Sequence, residues 1–247
     1  MIKALSNLGD YILLMKRTFA IPEKWNIFFK QIVTEVFKLV IDSIGIVIFI
    51  SLFIGAVITM QIELNINSPM IPEFTTGFVT REILLLEFSS TIMCLILAGK
   101  VGSNISSELG TMRVTEQVDA LEIMGVNSAN YLILPKVVAF VGFIPILVVL
   151  SIFFGLFGGF ILSWATDIIT PAKFEFGIQY WFSSTYLWYV FVKTMVFAFV
   201  ISSVSSYWGY NVKGGALAVG KASTNSVVSC NVLILFLDLV LTQLLLS

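Results

Sequence analysis

Five long stretches of this sequence, about 39–61, 79–104, 132–164, 183–206 and 223–246, are apolar almost from end to end. At 1.5 Å rise per residue, about 20 helical residues cross the ~30 Å hydrocarbon layer of a bilayer. Every one of the five is long enough. Lipid offers no hydrogen bonds to an exposed backbone, so only helices or a closed barrel can cross it. The runs are continuous rather than alternating segments of about ten residues, which selects helices. Only 12% of residues are charged against 58% hydrophobic, whereas a soluble domain holds about a quarter charged. The expected fold is an all-α integral membrane protein. It has an N-terminal interfacial helical region over 1–38, a single membrane domain over 39–247 with five transmembrane helices, and a short cytoplasmic helix between spans two and three.

In the first region Ile2, Leu5, Leu8, Ile12, Met15 and Phe19 recur at three-to-four spacing, and Lys16 and Arg17 forbid a span. That pattern predicts an amphipathic helix in the interface, ended by Pro22. A second stretch with Trp25, Phe28, Phe29, Ile32, Val33 and Val36 leads without a break into span one. Both read as an anchor or as part of a gate. Asn65, Asn67, Pro69 and Pro72 predict a loop over 62–78, and Asp167, Pro171, Lys173 and Glu175 another over 165–181. Pro145 predicts a kink in span three. Gly155, Gly158 and Gly159 give that span a small-residue face for close approach by another helix.

Lys3, Lys16, Arg17, Lys24, Lys30, Lys38, Lys100, Arg113, Lys136, Lys213 and Lys221 all fall on one side of a five-span chain. Basic residues stay inside, so the N-terminus is expected in the cytoplasm and the C-terminus in the periplasm. No cleavable signal segment is visible at the start. A net charge of −1 argues against nucleic acid. The absence of histidine removes the commonest general base and metal ligand, so neither a metal site nor an intramembrane enzyme is expected. Cys94 and Cys230 lie in apolar runs and read as small buried residues.

The polar stretch from Ser106 to Asn130 interrupts the apolar pattern. Thr115 is placed to N-cap a helix of about 115–125, and Glu116 and Asp119 put negative charge in its first turn. Val118, Leu121 and Met124 form one stripe, and Gly125 suits the left-handed position past the end. Nine or so residues of helix are marginal alone in water. The stripe therefore needs a surface, either the chain's own span ends or another protein.

The string Glu108–Glu122, ELGTMRVTEQVDALE, followed by Met124 and Gly125, resembles the signature of MlaE-type permeases. These are the membrane subunits of MCE-linked ABC transporters that move lipids. Phe53–Val57 with Gln61, and Leu97–Gly102, match the same pattern. So do Gly214–Ala216, Val219, Gly220, Ala222–Thr224, Val227 and Val228, and then Leu237, Asp238, Leu241 and Thr242. Ser89 and Ser90 stand where the family usually has Gly-Pro.

The resemblance implies a coupling helix seated in a groove of an ATPase subunit, with Glu108, Arg113, Thr115, Glu116, Gln117, Asp119, Leu121, Glu122 and Gly125 as the coupling residues. This chain has no GxxxxGK[ST] loop, so ATP would be bound by a separate ABC ATPase, and no cofactor of its own is expected. It further implies a homodimer in a bacterial inner membrane, an MCE-domain lipid-binding protein on the outer side, and phospholipid as substrate.

Charges inside spans are expensive and therefore functional candidates. Glu87, Lys193 and Asp238 each fall about 12–15 Å below the outer edge, by counting residues from the span ends. They are expected to share one level and pair, either as a structural link or as a polar spot for a lipid headgroup. Asp42 lies near the inner end of span one. Ile54, Val57, Ile58 and Gln61 share one face of span one, lining a lipid cavity or packing on a neighbour. The competing function is an ion-gradient-driven secondary transporter with Glu87 or Asp238 as its proton site. It predicts internal repeats, and none is visible.

Overall fold

The computed structural model describes residues 2–22, 24–66, 71–166 and 169–246. Asn67, Pro69 and Asp167, assigned to loops above, lie outside the described residues, as do the side chains of Ile2, Lys3 and Leu5. Within the described residues every regular element is helical: α1 (Ile2–Thr18), α2 (Trp25–Ile66), α3 (Thr75–Val114), α4 (Gln117–Ile123), α5 (Ser128–Ala165), α6 (Pro171–Gln179), α7 (Ser184–Tyr210) and α8 (Ala216–Leu246). Five of them, α2, α3, α5, α7 and α8, are long and apolar enough to span a membrane. The architecture is that of an all-α, multi-pass membrane protein.

Several boundaries differ from the sequence reading. Span two does not stop near residue 104 but continues as helix to Val114. Ser106 and Gly110 on that extension are buried together with Ile105 and Leu109, so the polar stretch begins as helix, as far as Val114. The segment 165–181 contains helix α6, because Pro171 takes its first position, where a missing N–H costs nothing. Helix α5 runs through Pro145 as one element. The segment Leu84–Ile92 of α3, which holds Ser89 and Ser90, is wound as a π-helix, as are Phe37–Ile41 and Ala98–Gly102. Span two thus leaves α geometry at the place of the missing Gly-Pro, without a proline to force it.

The chain forms two compact units, and each long helix contributes a stretch to both. The first comprises Met1–Asp42, Leu95–Ile144 and Met195–Val240. Its core combines Leu97, Val101, Ile105 and Leu109 of α3 with Ile133, Phe140, Phe197 and Ile201. Serines fill the tight spots: Ser226 Oγ donates to Ser205 Oγ at 2.8 Å. In α1 the side packed on the protein is Tyr11, Leu14, Met15 and Thr18, while Leu8 and Ile12 of the predicted stripe are exposed.

The second unit comprises Ser43–Cys94, Pro145–Thr194 and Leu241–Ser247. Here the glycine face of α5 meets α2 as the sequence predicted. A Cβ on Gly55 would run into the Gly155 backbone, and one on Gly158 into the Leu52 carbonyl. Ser51, Ser151 and Ser89 form a buried hydrogen-bonded chain across three helices, at 2.9 and 3.1 Å. Small residues and hydroxyls do this work because lipid gives helices no hydrophobic reason to associate. Arg81 is buried. It donates to the carbonyls of Ile178 and Tyr180, both at 2.7 Å, and so caps the end of α6.

Candidate functional site

The surface helix α4 is short and fixed at both ends. Thr115 does not N-cap it. Its hydroxyl donates back to the Thr111 carbonyl at 2.9 Å and closes the end of α3. The position before α4 is taken by Glu116 in the left-handed conformation, φ 60°. A side chain seldom adopts that geometry, and here it reverses the chain between two helices within two residues. At the other end Val126 N–H donates to Leu121 O and Gly125 N–H to Glu122 O, both 3.0 Å. Those are the two bonds of a Schellman ending, with Gly125 at φ 78°.

Side-chain contacts hold α4 down. Arg113 pairs with Asp119 at 2.5 Å. Glu122 accepts from Ser128 Oγ at 2.9 Å and from Tyr210 OH at 3.0 Å, the starts and ends of α5 and α7 respectively. These donations, Ser128's first, hold the Glu122 carboxyl below the usual carboxylate range, against a smaller opposing effect of burial. The predicted stripe splits. Val118 is fully buried on its own chain, Leu121 is half-buried and Met124 is 68% exposed beside Ile123 at 87%. Gln117 and Glu116 are exposed on the same surface. What α4 presents outward is thus an apolar tip, Ile123–Met124, of which the three-residue spacing picked out Met124 and missed Ile123.

The first unit also holds an ion lattice. Lys136 of α5 is 2% exposed and pairs with Glu35 of α2 at 2.8 Å and Glu108 of α3 at 2.6 Å. Lys38 adds a bond to Glu108 at 3.1 Å. Three helices of the first unit are joined at one ammonium.

In the second unit Lys193 is fully buried. Its ammonium donates to Tyr189 OH at 2.9 Å, and to Glu87, the Leu86 carbonyl and Thr242 Oγ1, each at 3.3 Å. Glu87 is the other half of that ion pair and is 46% exposed. Glu87 and Lys193 are therefore together, as expected. Asp238 is half-exposed on α8, one turn before Thr242. Ile54 and Ile58 are half-buried, and Val57 and Gln61 exposed, along α2.

The model of the permease family MlaE matches residues 32–244 of this chain. The chain belongs to the MlaE permease family. A probable ABC transporter permease protein of Synechocystis is 35% identical over 198 residues, covering 76% of this chain and 71% of the relative. One from Rickettsia bellii is 33% identical, covering 88% and 84%. The chloroplastic protein trigalactosyldiacylglycerol 1 of Arabidopsis thaliana is 32% identical, covering 81% of this chain and 57% of that protein.

In this MlaE permease the sequence reading missed Glu35 and Lys136 as partners. Their positions flank spans, where a charge reads as an anchor, and nothing local shows that they converge. Tyr189 and Thr242 were missed for a related reason: hydroxyls in an apolar run carry little signal until a buried ammonium needs acceptors.

Proposed function

We propose that this permease is the membrane subunit of an ABC-type lipid transporter, with phospholipid as its cargo and a separate ATPase seated on α4. The observation that carries the reading is the tip of α4. A marginal helix closed by a Schellman ending, tied by Glu122, Asp119 and Arg113, and ending in exposed Ile123 and Met124 is a shape for insertion into a groove of another protein. Gly215 to Lys221 has the glycine and lysine spacing of a phosphate loop, but Ala222 follows where a hydroxyl is needed, and Ala216 onward is helix. Nucleotide would then bind on the partner. Lipid as cargo is supported by the Arabidopsis relative, whose name is that of a glycolipid, and by the half-exposed Glu87 beside a buried cation within an apolar helix long enough to span a membrane.

On the same reading α4 lies in the cytoplasm of a bacterial cell, and an MCE-domain protein on the outer side of the inner membrane would take up or deliver lipid. A second copy would cover the exposed apolar side of α8, including Val228, Val232, Phe236 and Leu239.

The direct test is Ile123→Asp, in a tagged chain co-expressed with candidate ATPases. Loss of ATPase co-purification from a folded permease supports the seat. Undiminished co-purification removes it. Asp119→Lys is a poorer probe, because it sets a second cation against Arg113, to which Asp119 is bonded.

A further inference from the structure

Just beyond α4 two asparagines hold the end of α1. Asn127 Nδ2 donates to the Arg17 carbonyl at 2.9 Å. Asn130 Nδ2 donates to the carbonyls of Thr18, at 2.7 Å, and Ala20, at 2.6 Å. The last carbonyls of a helix have no partner within it, and here side chains from the start of α5 supply them. Asn127 also serves α5: its Oδ1 accepts from Asn130 N–H at 3.3 Å, as an N-cap does. One residue, two positions after Gly125, therefore joins the ending of α4, the start of α5 and the end of α1. Further along, α1 is fixed to α7: Tyr11 OH donates to Ser203 Oγ at 2.8 Å, Tyr11 packs edge-on against Tyr207, and Phe19 stacks on Phe199. Its opposite side, with Leu8, Ile12 and Leu13, is exposed and apolar, a face suited to the membrane interface.

We infer that Asn127 and Asn130 are positioning residues of the transport cycle, making α1 a lever that carries movement of α4 to the membrane surface and to α7. An anchor would need only its apolar face. The three carbonyl bonds are what an anchor does not need, and they lie at the junction through which a push on α4 enters α5. The inference rests on the proposed seating of an ATPase on α4.

Asn127→Asp separates the two duties of that residue. The carboxylate still caps α5, since aspartate is as good an N-cap as asparagine, but it cannot donate to Arg17 O. Asn130→Asp likewise removes both donors to Thr18 and Ala20 at nearly constant size. The complete transporter, permease with its ATPase in phospholipid vesicles, is assayed for lipid moved per ATP hydrolysed. In parallel, an environment-sensitive fluorophore on Leu13→Cys reports the depth of α1 with and without ATP. The double aspartate variant should assemble and hydrolyse ATP, move at least about fivefold less lipid per ATP, and lose the ATP-driven fluorescence change. An unchanged ratio overturns the inference, as does a parallel loss of hydrolysis and transport, which would mark a purely structural role. If the double variant does not assemble, Asn127→Asp alone is read the same way. A wild-type complex that forms but moves no lipid would instead overturn the proposed function, and a wild-type α1 that does not respond to ATP would overturn the lever alone.

Discussion

Replacing Lys136 with methionine tests the ion lattice that joins α2, α3 and α5. The ammonium is 2% exposed and serves Glu35 and Glu108 together. Without it Glu108 keeps Lys38 at 3.1 Å. Glu35 keeps the charge of Lys38 nearby but no hydrogen bond, because its other oxygen, Oε2, is buried with no hydrogen-bond partner among the described residues. The penalty is therefore one stranded, nearly buried carboxylate. Removing one partner of such a pair costs about 3–5 kcal/mol, equivalent to a fall of roughly 6–20 °C in Tm for a chain of this size. Thermal unfolding of the purified permease in detergent measures it. Adding Glu35→Gln to Lys136→Met should recover most of the loss, since a neutral isostere leaves no charge to strand. A loss below about 1 kcal/mol, or a double variant no better than the single, would refute the reasoning.

Gly55→Ala should destabilise the second unit by about 1–3 kcal/mol, because its methyl meets the Gly155 backbone, which has no side chain to give way. Gly45→Ala, with open space around it, should be neutral or slightly stabilising in the same melt. Exchanging the charges of Glu87 and Lys193 should not restore transport to more than about a tenth of normal: a glutamate at 193 would face the Leu86 carbonyl, to which Lys193 now donates. Full recovery would show that the pair alone matters. Because Ser128, first, and Tyr210 hold the Glu122 carboxyl below its unfolded value, its contribution is present above the usual carboxylate range and is lost as pH falls through the depressed value. Hydrogen exchange of the α4 amides should show that loss, and Glu122→Gln should abolish its pH dependence.

Much of this fold is written in apolar run length, since lipid leaves a backbone few options. The five spans, the close face at Gly155 and Gly158, the left-handed Gly125 and the pairing of Glu87 with Lys193 were all legible that way. Three kinds of feature were not. The reach of α3 to Val114 was hidden because serine and glycine, at Ser106 and Gly110, share its buried face with Ile105 and Leu109 and break the apolar run. Thr115 was assigned to the wrong helix, since a hydroxyl between two helices can cap either and only the left-handed Glu116 decides. Lys136 and Asn130 were invisible as partners because their contacts lie far away in sequence, with Glu35 on α2 and with the last carbonyls of α1.

The central claim is that this permease moves lipid only when a separate ATPase works on α4. It is tested most directly by reconstituting permease and ATPase together in vesicles carrying a labelled phospholipid, and following label movement with ATP, without ATP, and with an imposed proton gradient. The account predicts movement with ATP only, abolished by Ile123→Asp in a permease that still folds. Movement driven by the gradient alone, or equal rates with and without the ATPase, would contradict it.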